Sequence, residues 1–212
     1  MDKYKETFDT WNKVASVYQE KFMNLDLYNE TYDFICNSID KREAKLLEIG
    51  CGPGNITRYL LSKRPDFNIF GVDIAPNMIE LARVNNPSAS FEVMDARQIG
   101  DLRTKYDAVI SGFCLPYLSQ TESTEFIFNA YRLLNENGLI YISFVEGNPN
   151  KSDFQVGSGG RVFFNFYNLD NIIKQLITTE FSEIKTFKRE YQRNELEYET
   201  HTIIIAKKKN AL

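Results

Sequence analysis

KLLEIGCGPGNIT, Lys45 to Thr57, sets a short apolar run ending in an acid against three closely spaced glycines. KLLEI has the length and makeup of a buried parallel strand, and GCGPG then turns the chain into a helix that Asn55 can cap. Lacking a Cβ, Gly50, Gly52 and Gly54 can take positive φ and let a bound molecule approach the backbone. The spacing is informative in its own right. A dinucleotide fingerprint G-x-G-x-x-G needs glycine at position 55, where Asn55 stands, so the pattern is G-x-G-x-G with Glu48 just before it.

Outward from this turn, the same grammar repeats. NIFGV, Asn68 to Val72, reads as a second buried strand closed by Asp73, and IAPNMIELARVN as a helix with Pro76 in its first turn. An acid about 20 positions past a glycine turn, at the end of the neighbouring strand, is placed to accept ribose hydroxyls. Capping the following helix is the rival role for Asp73. SFEVM, Ser90 to Met94, is a third strand and ends in Asp95-Ala96, where Asp95 could equally cap the short turn ARQIG. YDAVISGFCLPYL then gives a strand through Ser111 and an irregular apolar segment holding Phe113, Pro116 and Tyr117. A helix over Thr124 to Leu134, the turn signal NENG and the strand GLIYISF, Gly138 to Phe144, continue the alternation of strands and helices.

The glycine turn with acids at three successive strand ends resembles the class I S-adenosylmethionine-dependent methyltransferases, in their small single-domain form. The resemblance covers roughly Trp11 to Lys208. It implies an α/β, Rossmann-like doubly wound sheet of seven strands, mostly parallel, with an antiparallel C-terminal hairpin strand and helices on both faces. It also implies S-adenosyl-L-methionine as cofactor and S-adenosyl-L-homocysteine as product. Glu48, Gly50, Cys51, Gly52, Gly54 and Asn55 would then meet the amino-acid end of the cofactor. Asp73, Ile74 and Met78 would meet the ribose side, and Asp95 and Ala96 the adenine edge. Ser111 and Phe113 complete the expected cofactor site. Ala75 stands where the family often has Ser, which removes a possible cap and leaves the ribose contact. Members that methylate base amines or glutamine amides often carry D/N-P-P-Y/F after the fourth strand, and SGFCLPY does not match it.

Acids suit a ligand carrying a sulfonium and an ammonium, whereas a pyrophosphate prefers bare helix-terminus amides. Methyl transfer needs alignment and exclusion of water more than proton transfer. A base is required only for an acceptor protonated at neutral pH, with Tyr18, Tyr117 and His201 as candidates, and no metal is expected.

The flanks are read next. Residues 1–40 carry Trp11, Val14, Ala15, Tyr18 and Phe22 on one helical stripe and Leu25, Tyr28, Tyr32, Ile35 and Ile39 on another, predicting two helices. These are core stripes, or, by the resemblance, a cap over the cofactor with Tyr18 facing the reacting groups. Residues 145–167 read as a long irregular loop on the side where ligands bind, with GSGG, Gly157 to Gly160, giving it freedom to move as a lid. Phe154, Arg161, Phe163, Phe164 and Tyr167 could line an acceptor pocket there, or pack onto the core. A helix near Leu169 to Ile177 precedes two strand-like runs joined by only a short polar stretch, which forces an antiparallel hairpin. His201, the one histidine, lies in the second run and is expected to be structural there, far from the glycine turn.

With 212 residues, 43% hydrophobic, the chain can bury a full core as one domain, 1–212. Within it fall a helical cap (1–40), a cofactor-binding core (41–144), a substrate-side loop (145–167) and a C-terminal helix with hairpin (168–212). The net charge of -4 gives no footprint for a nucleic-acid backbone. Cys36, Cys51 and Cys114 are odd in number and lack C-x-x-C spacing, and the polar start MDKYKETFDTWNK has no signal-peptide core. These features predict a cytoplasmic protein acting on a small molecule, without nucleic-acid or membrane partners and with an oligomeric state left open. RNA or protein methylation, a silent nucleoside-binding module and a nicotinamide-dependent oxidoreductase stand as alternatives.

Overall fold

The computed structural model describes residues 2–157, 159–193 and 195–209. Seven strands form one sheet: β1 (Lys45–Ile49), β2 (Asn68–Asp73), β3 (Ser90–Val93), β4 (Tyr106–Ser111), β5 (Leu134–Val145), β8 (Phe181–Gln192) and β9 (Tyr198–Lys208). Their order is β3-β2-β1-β4-β5-β9-β8. All contacts among β1 to β5 are parallel, and β9 runs antiparallel to both β5 and β8. This is the doubly wound, Rossmann-like sheet expected, with β9 as the reversed strand. Chain order reverses between β1 and β4, the switch point at which such sheets open a crevice beyond their carboxyl ends.

Alternation along β1 shows why the apolar runs are nearly continuous. Leu47 and Ile49 face a core built with α6 (Gln120–Leu133) and α7 (Leu169–Thr178), while Leu46 faces one built with α3 (Asn29–Ser38) and α4 (Asn55–Lys63). A strand covered on both faces has no polar side to show. Helix α5 (Pro76–Asn85) buries Met78, Ile79 and Ala82. Helix α6 starts with a capping box in which Ser119 and Glu122 satisfy each other's backbone amides.

Four local expectations change. The N-terminal segment forms three helices, α1 (Lys3–Lys13), α2 (Ala15–Phe22) and α3, because Val14 (φ -97, ψ 12) leaves helical geometry. Asn55 is the first residue of α4 and does not cap it; Gly54, left-handed at φ 80, holds the cap position without a side-chain bond. NENG is drawn into β5: the pairing jumps from Tyr106–Leu134 to Ala108–Leu139, and Asn137 at φ 61 absorbs the irregularity. Most consequentially, the loop over 145–167 holds a hairpin, β6 (Asp153–Gly157) and β7 (Gly160–Phe164), with Ser158 of GSGG outside the described residues. That hairpin is tied to α1. The Phe163 amide donates to Thr7 Oγ1 at 2.9 Å, Thr10 Oγ1 donates to the Arg161 carbonyl at 2.9 Å, and Arg161 pairs with Glu6 at 2.7 Å. Among the described residues, no helix is long and apolar enough to cross a membrane.

Candidate active site

At the carboxyl end of β1 the chain turns sharply, with Gly50, Gly52 and Gly54 at φ 69, 53 and 80. Two of these turns have a structural reason as well. A Cβ on Gly50 would meet Cys114 Cβ at 2.9 Å, and one on Gly54 would meet Asn86 Nδ2 at 2.3 Å. Glu48 is buried beneath the turn; Thr57 Oγ1 donates to its Oε2, while Oε1 has no hydrogen-bond partner. Burial pushes its carboxyl up to about 7.

Asp73 closes β2 beside the turn. Its carboxylate accepts from the Gly52 amide and the Ala75 amide, each at 2.9 Å, so it joins the glycine turn to the start of α5. Burial raises its pKa, and these two amides oppose the rise. Asp95 accepts from the Arg97 amide at 2.9 Å and pairs with the Arg97 guanidinium at 2.5 Å. The capping contacts considered for both acids therefore exist. With about four lone-pair sites, Asp73 keeps two for further donors, whereas the Asp95 oxygens are both engaged by Arg97.

Two cavities open along the carboxyl edge. The first, about 920 Å³ with its mouth, is lined by Asp73, Ile74, Met78, Asp95, Ala96 and Cys114. Helix α1 roofs it with Tyr4, Phe8 and Trp11. Tyr4 anchors this roof by donating to Glu122 at 2.5 Å, while Arg97 lies 4.2 Å over its ring. The second cavity, about 1790 Å³ with its wider mouth, reaches Glu48, Cys51 and Asn55 on one side and Tyr191, Glu199 and His201 on the other. Gly50, Gly52 and Phe113, together with Trp11, Tyr18 and Tyr117, line both cavities and mark where they meet. The Trp11 ring packs edge-on against Tyr18 at 5.6 Å and Tyr117 at 5.5 Å.

Of the aromatics expected in the acceptor pocket, Tyr18, Tyr117 and, from the 145–167 segment, Phe164 line the second cavity. Tyr167 is fully buried and donates to the Leu118 carbonyl at 2.6 Å, a core role. Phe154 and Phe163 pack on each other at 5.3 Å, with the Arg161 guanidinium 4.4 Å over Phe154, outside both cavities. Their strand alternation explains this: Val162 and Phe164 face inward, so Arg161 and Phe163 face α1. Gly54 and Ser111 line neither cavity, Ser111 being buried in the sheet.

A methyltransferase-domain family model matches residues 46–138, from the first strand through the glycine turn into the fifth strand. A malonyl-[acyl-carrier protein] O-methyltransferase of Acetivibrio thermocellus is 33% identical over 110 residues, 48% of this chain and 38% of that protein. A second protein of that name, from Priestia megaterium, is 27% identical over 190 residues, 82% of this chain and 67% of its own. The chain thus spans well under half of the first relative. Among solved structures, magnesium protoporphyrin IX methyltransferase from Synechocystis PCC 6803 with bound SAM superposes with a TM-score of 0.72, at 17% identity and over 98% of both chains. Over residues 46–138 the chain is therefore similar to the methyltransferase-domain family, and its fold is that of the solved methyltransferases.

His201, a candidate base that the sequence nonetheless places far from the glycine turn, lines the second cavity. Because β9 is reversed, its first residues lie beside the last of β5, and His201 pairs with Val145 at the ligand-facing edge. Strand direction, fixed by the short β8–β9 connection, was the available signal; the register was not. Tyr4 and Phe8 gave no signal beyond amphipathic helix.

The raised Glu48 pKa has a testable consequence for the chain without ligand. The folded state holds that proton more tightly than the unfolded chain, so the contribution to stability is full below about pH 4.5 and is lost as pH rises through about 7. Melting curves between pH 5 and 8 should show this decline, and Glu48→Gln should flatten it. An identical slope in the variant would place the effect elsewhere.

Proposed function

We propose that this chain binds S-adenosylmethionine across the glycine turn and transfers its methyl group to a small molecule held in the second cavity. The single observation that carries the reading is Glu48, a buried carboxylate with an unpartnered oxygen that lines the second chamber beneath Gly50 and Gly52, where that chamber meets a nucleoside-sized cavity. An orphaned buried carboxylate asks for a cation, and the cofactor's ammonium is one. The fit extends along the first cavity. Asp73 has lone pairs left for two ribose hydroxyls, Ile74 and Met78 flank the ring system, and Asp95 with the Ala96 amide suits an adenine edge. Gly50, Cys51, Gly52 and Asn55 leave room for the amino-acid end, and Phe113 separates it from the acceptor.

When bound, the sulfonium supplies an electrophilic methyl group. The chain's own residues orient and desolvate: Trp11, Tyr18 and Tyr117 close the junction against water. The acidic chain, the second chamber and relatives named for malonyl-carrier methylation support a small acceptor over RNA. Three free cysteines fit a reducing compartment such as the cytoplasm. A crystal structure grown with S-adenosylhomocysteine tests the reading. Ligand density should run from Asp95 past Asp73 to Glu48, and density confined to the second cavity would contradict it.

A further inference from the structure

The far wall of the second cavity holds a chain of polar groups that the reading above does not use. His201 is 6% exposed, and its Nδ1 shares a 2.5 Å hydrogen bond with the Tyr28 hydroxyl. Its Nε2 is buried without a hydrogen bond and faces Glu199 Oε2 at 3.5 Å. Glu199 is fixed in turn by Arg193 at 3.1 Å, and the imidazole beside it is the first reason its carboxyl lies below the usual range. Rings lock the imidazole in place: Tyr191 stacks on it at 4.8 Å and 12°, and Phe113 lies against it at 4.7 Å. Phe113 is also the residue shared with the cofactor-side cavity, so the imidazole stands one ring away from where the two cavities meet.

Three groups of three chemistries in line, carboxylate to imidazole to phenol, make an oriented base. Packing alone would not call for a histidine wedged between aromatic rings with an unpaired nitrogen turned to a carboxylate. Glu199 favours the ring tautomer with its proton on Nε2, which leaves Nδ1 to accept from Tyr28. We infer that Tyr28 and His201, positioned by Glu199, deprotonate an aromatic hydroxyl as it is methylated. The inference rests on the donor site proposed above. The acceptor oxygen forms the new bond to the methyl carbon, the carbon–sulfur bond breaks toward sulfur, and the acceptor proton passes to the Tyr28 oxygen while the Tyr28 proton moves to Nδ1. The imidazolium, stabilised by Glu199, later returns its proton to water. A carboxylate acceptor, already ionised, would need none of this. The walls favour a flat ring: Tyr18, Phe22, Phe164 and Tyr191 surround the chamber.

Because the chain has one histidine, the imidazole nitrogens of ¹⁵N-labelled protein give a single set of signals. Calorimetry first establishes saturation with S-adenosylhomocysteine; then phenol, 2-naphthol, their methyl ethers, benzoate and benzylamine are each titrated in. The groups facing the ring are Tyr28, Tyr191 and Glu199, with Arg193 behind Glu199. At constant pH, a phenol should shift the Nδ1 signal, the ethers should not, and Tyr28→Phe should abolish the response. Glu199→Gln should alter the tautomer ratio while S-adenosylhomocysteine still binds. With S-adenosylmethionine and the responding phenol, Tyr28→Phe should lower kcat roughly 100-fold with the cofactor KM unchanged. Binding of S-adenosylhomocysteine with no response to either phenol, or an equal response to the ethers, benzoate or benzylamine, overturns this inference alone. No binding of S-adenosylhomocysteine overturns the donor site and the inference together.

Discussion

Asp73→Ala should weaken S-adenosylhomocysteine binding by about 2–4 kcal/mol, since ribose hydroxyls with a charged acceptor would be left without one. The geometry adds a second effect. The same carboxylate takes the Gly52 and Ala75 amides, so removing it also loosens the glycine turn and the start of α5. Melting temperature should therefore fall along with affinity. Asp73→Asn keeps one oxygen for an amide and should recover more stability than affinity. Calorimetry and melting curves on both variants separate the roles: unchanged affinity with a lowered melting temperature would make Asp73 a structural cap only.

Gly54→Ala should be among the most destabilising single-methyl additions in the chain. A non-glycine residue at φ 80 costs about 1–2 kcal/mol. The new Cβ would sit 2.3 Å from Asn86 Nδ2, and Asn86 is a buried side chain donating to the Gly54 and Ala82 carbonyls. Displacing it adds about 1–3 kcal/mol for the unsatisfied amide and carbonyls. At about 2–4 °C per kcal/mol for a chain of this size, melting should drop by roughly 4–20 °C. A variant melting within about 2 °C of the parent would mean that the turn relaxes around the methyl group.

The elements legible in the sequence were those written locally. Three glycines between a buried strand and a helix, and acids at the ends of β1, β2 and β3, can be read without knowing what packs on them. The seven-stranded sheet follows from that alternation together with the short β8–β9 connection. What was not legible depends on register and long-range pairing. His201 was placed away from the glycine turn because its position depends on β9 sliding until it pairs with Val145. The β6–β7 hairpin read as loop because its strands are short and rich in glycine, and its stabilising contacts come from Glu6, Thr7 and Thr10, nearly the whole cofactor-side core away in sequence. Tyr167 read as a pocket residue because a buried and a ligand-facing aromatic look alike until its hydroxyl finds the Leu118 carbonyl. The break at Val14 is similarly silent, since the apolar stripe continues through it while α1 goes over the first cavity and α2 beside the second.

The central claim, that a cationic nucleoside occupies the crevice between Glu48 and Asp95, is tested most directly by calorimetric titration of the parent chain with S-adenosylhomocysteine and, separately, with NAD. The account predicts saturable binding of S-adenosylhomocysteine at one site per chain, with NAD weaker because Asn55 interrupts the dinucleotide spacing and the site presents carboxylates to a pyrophosphate. Tighter binding of NAD, or no heat with S-adenosylhomocysteine, would contradict it.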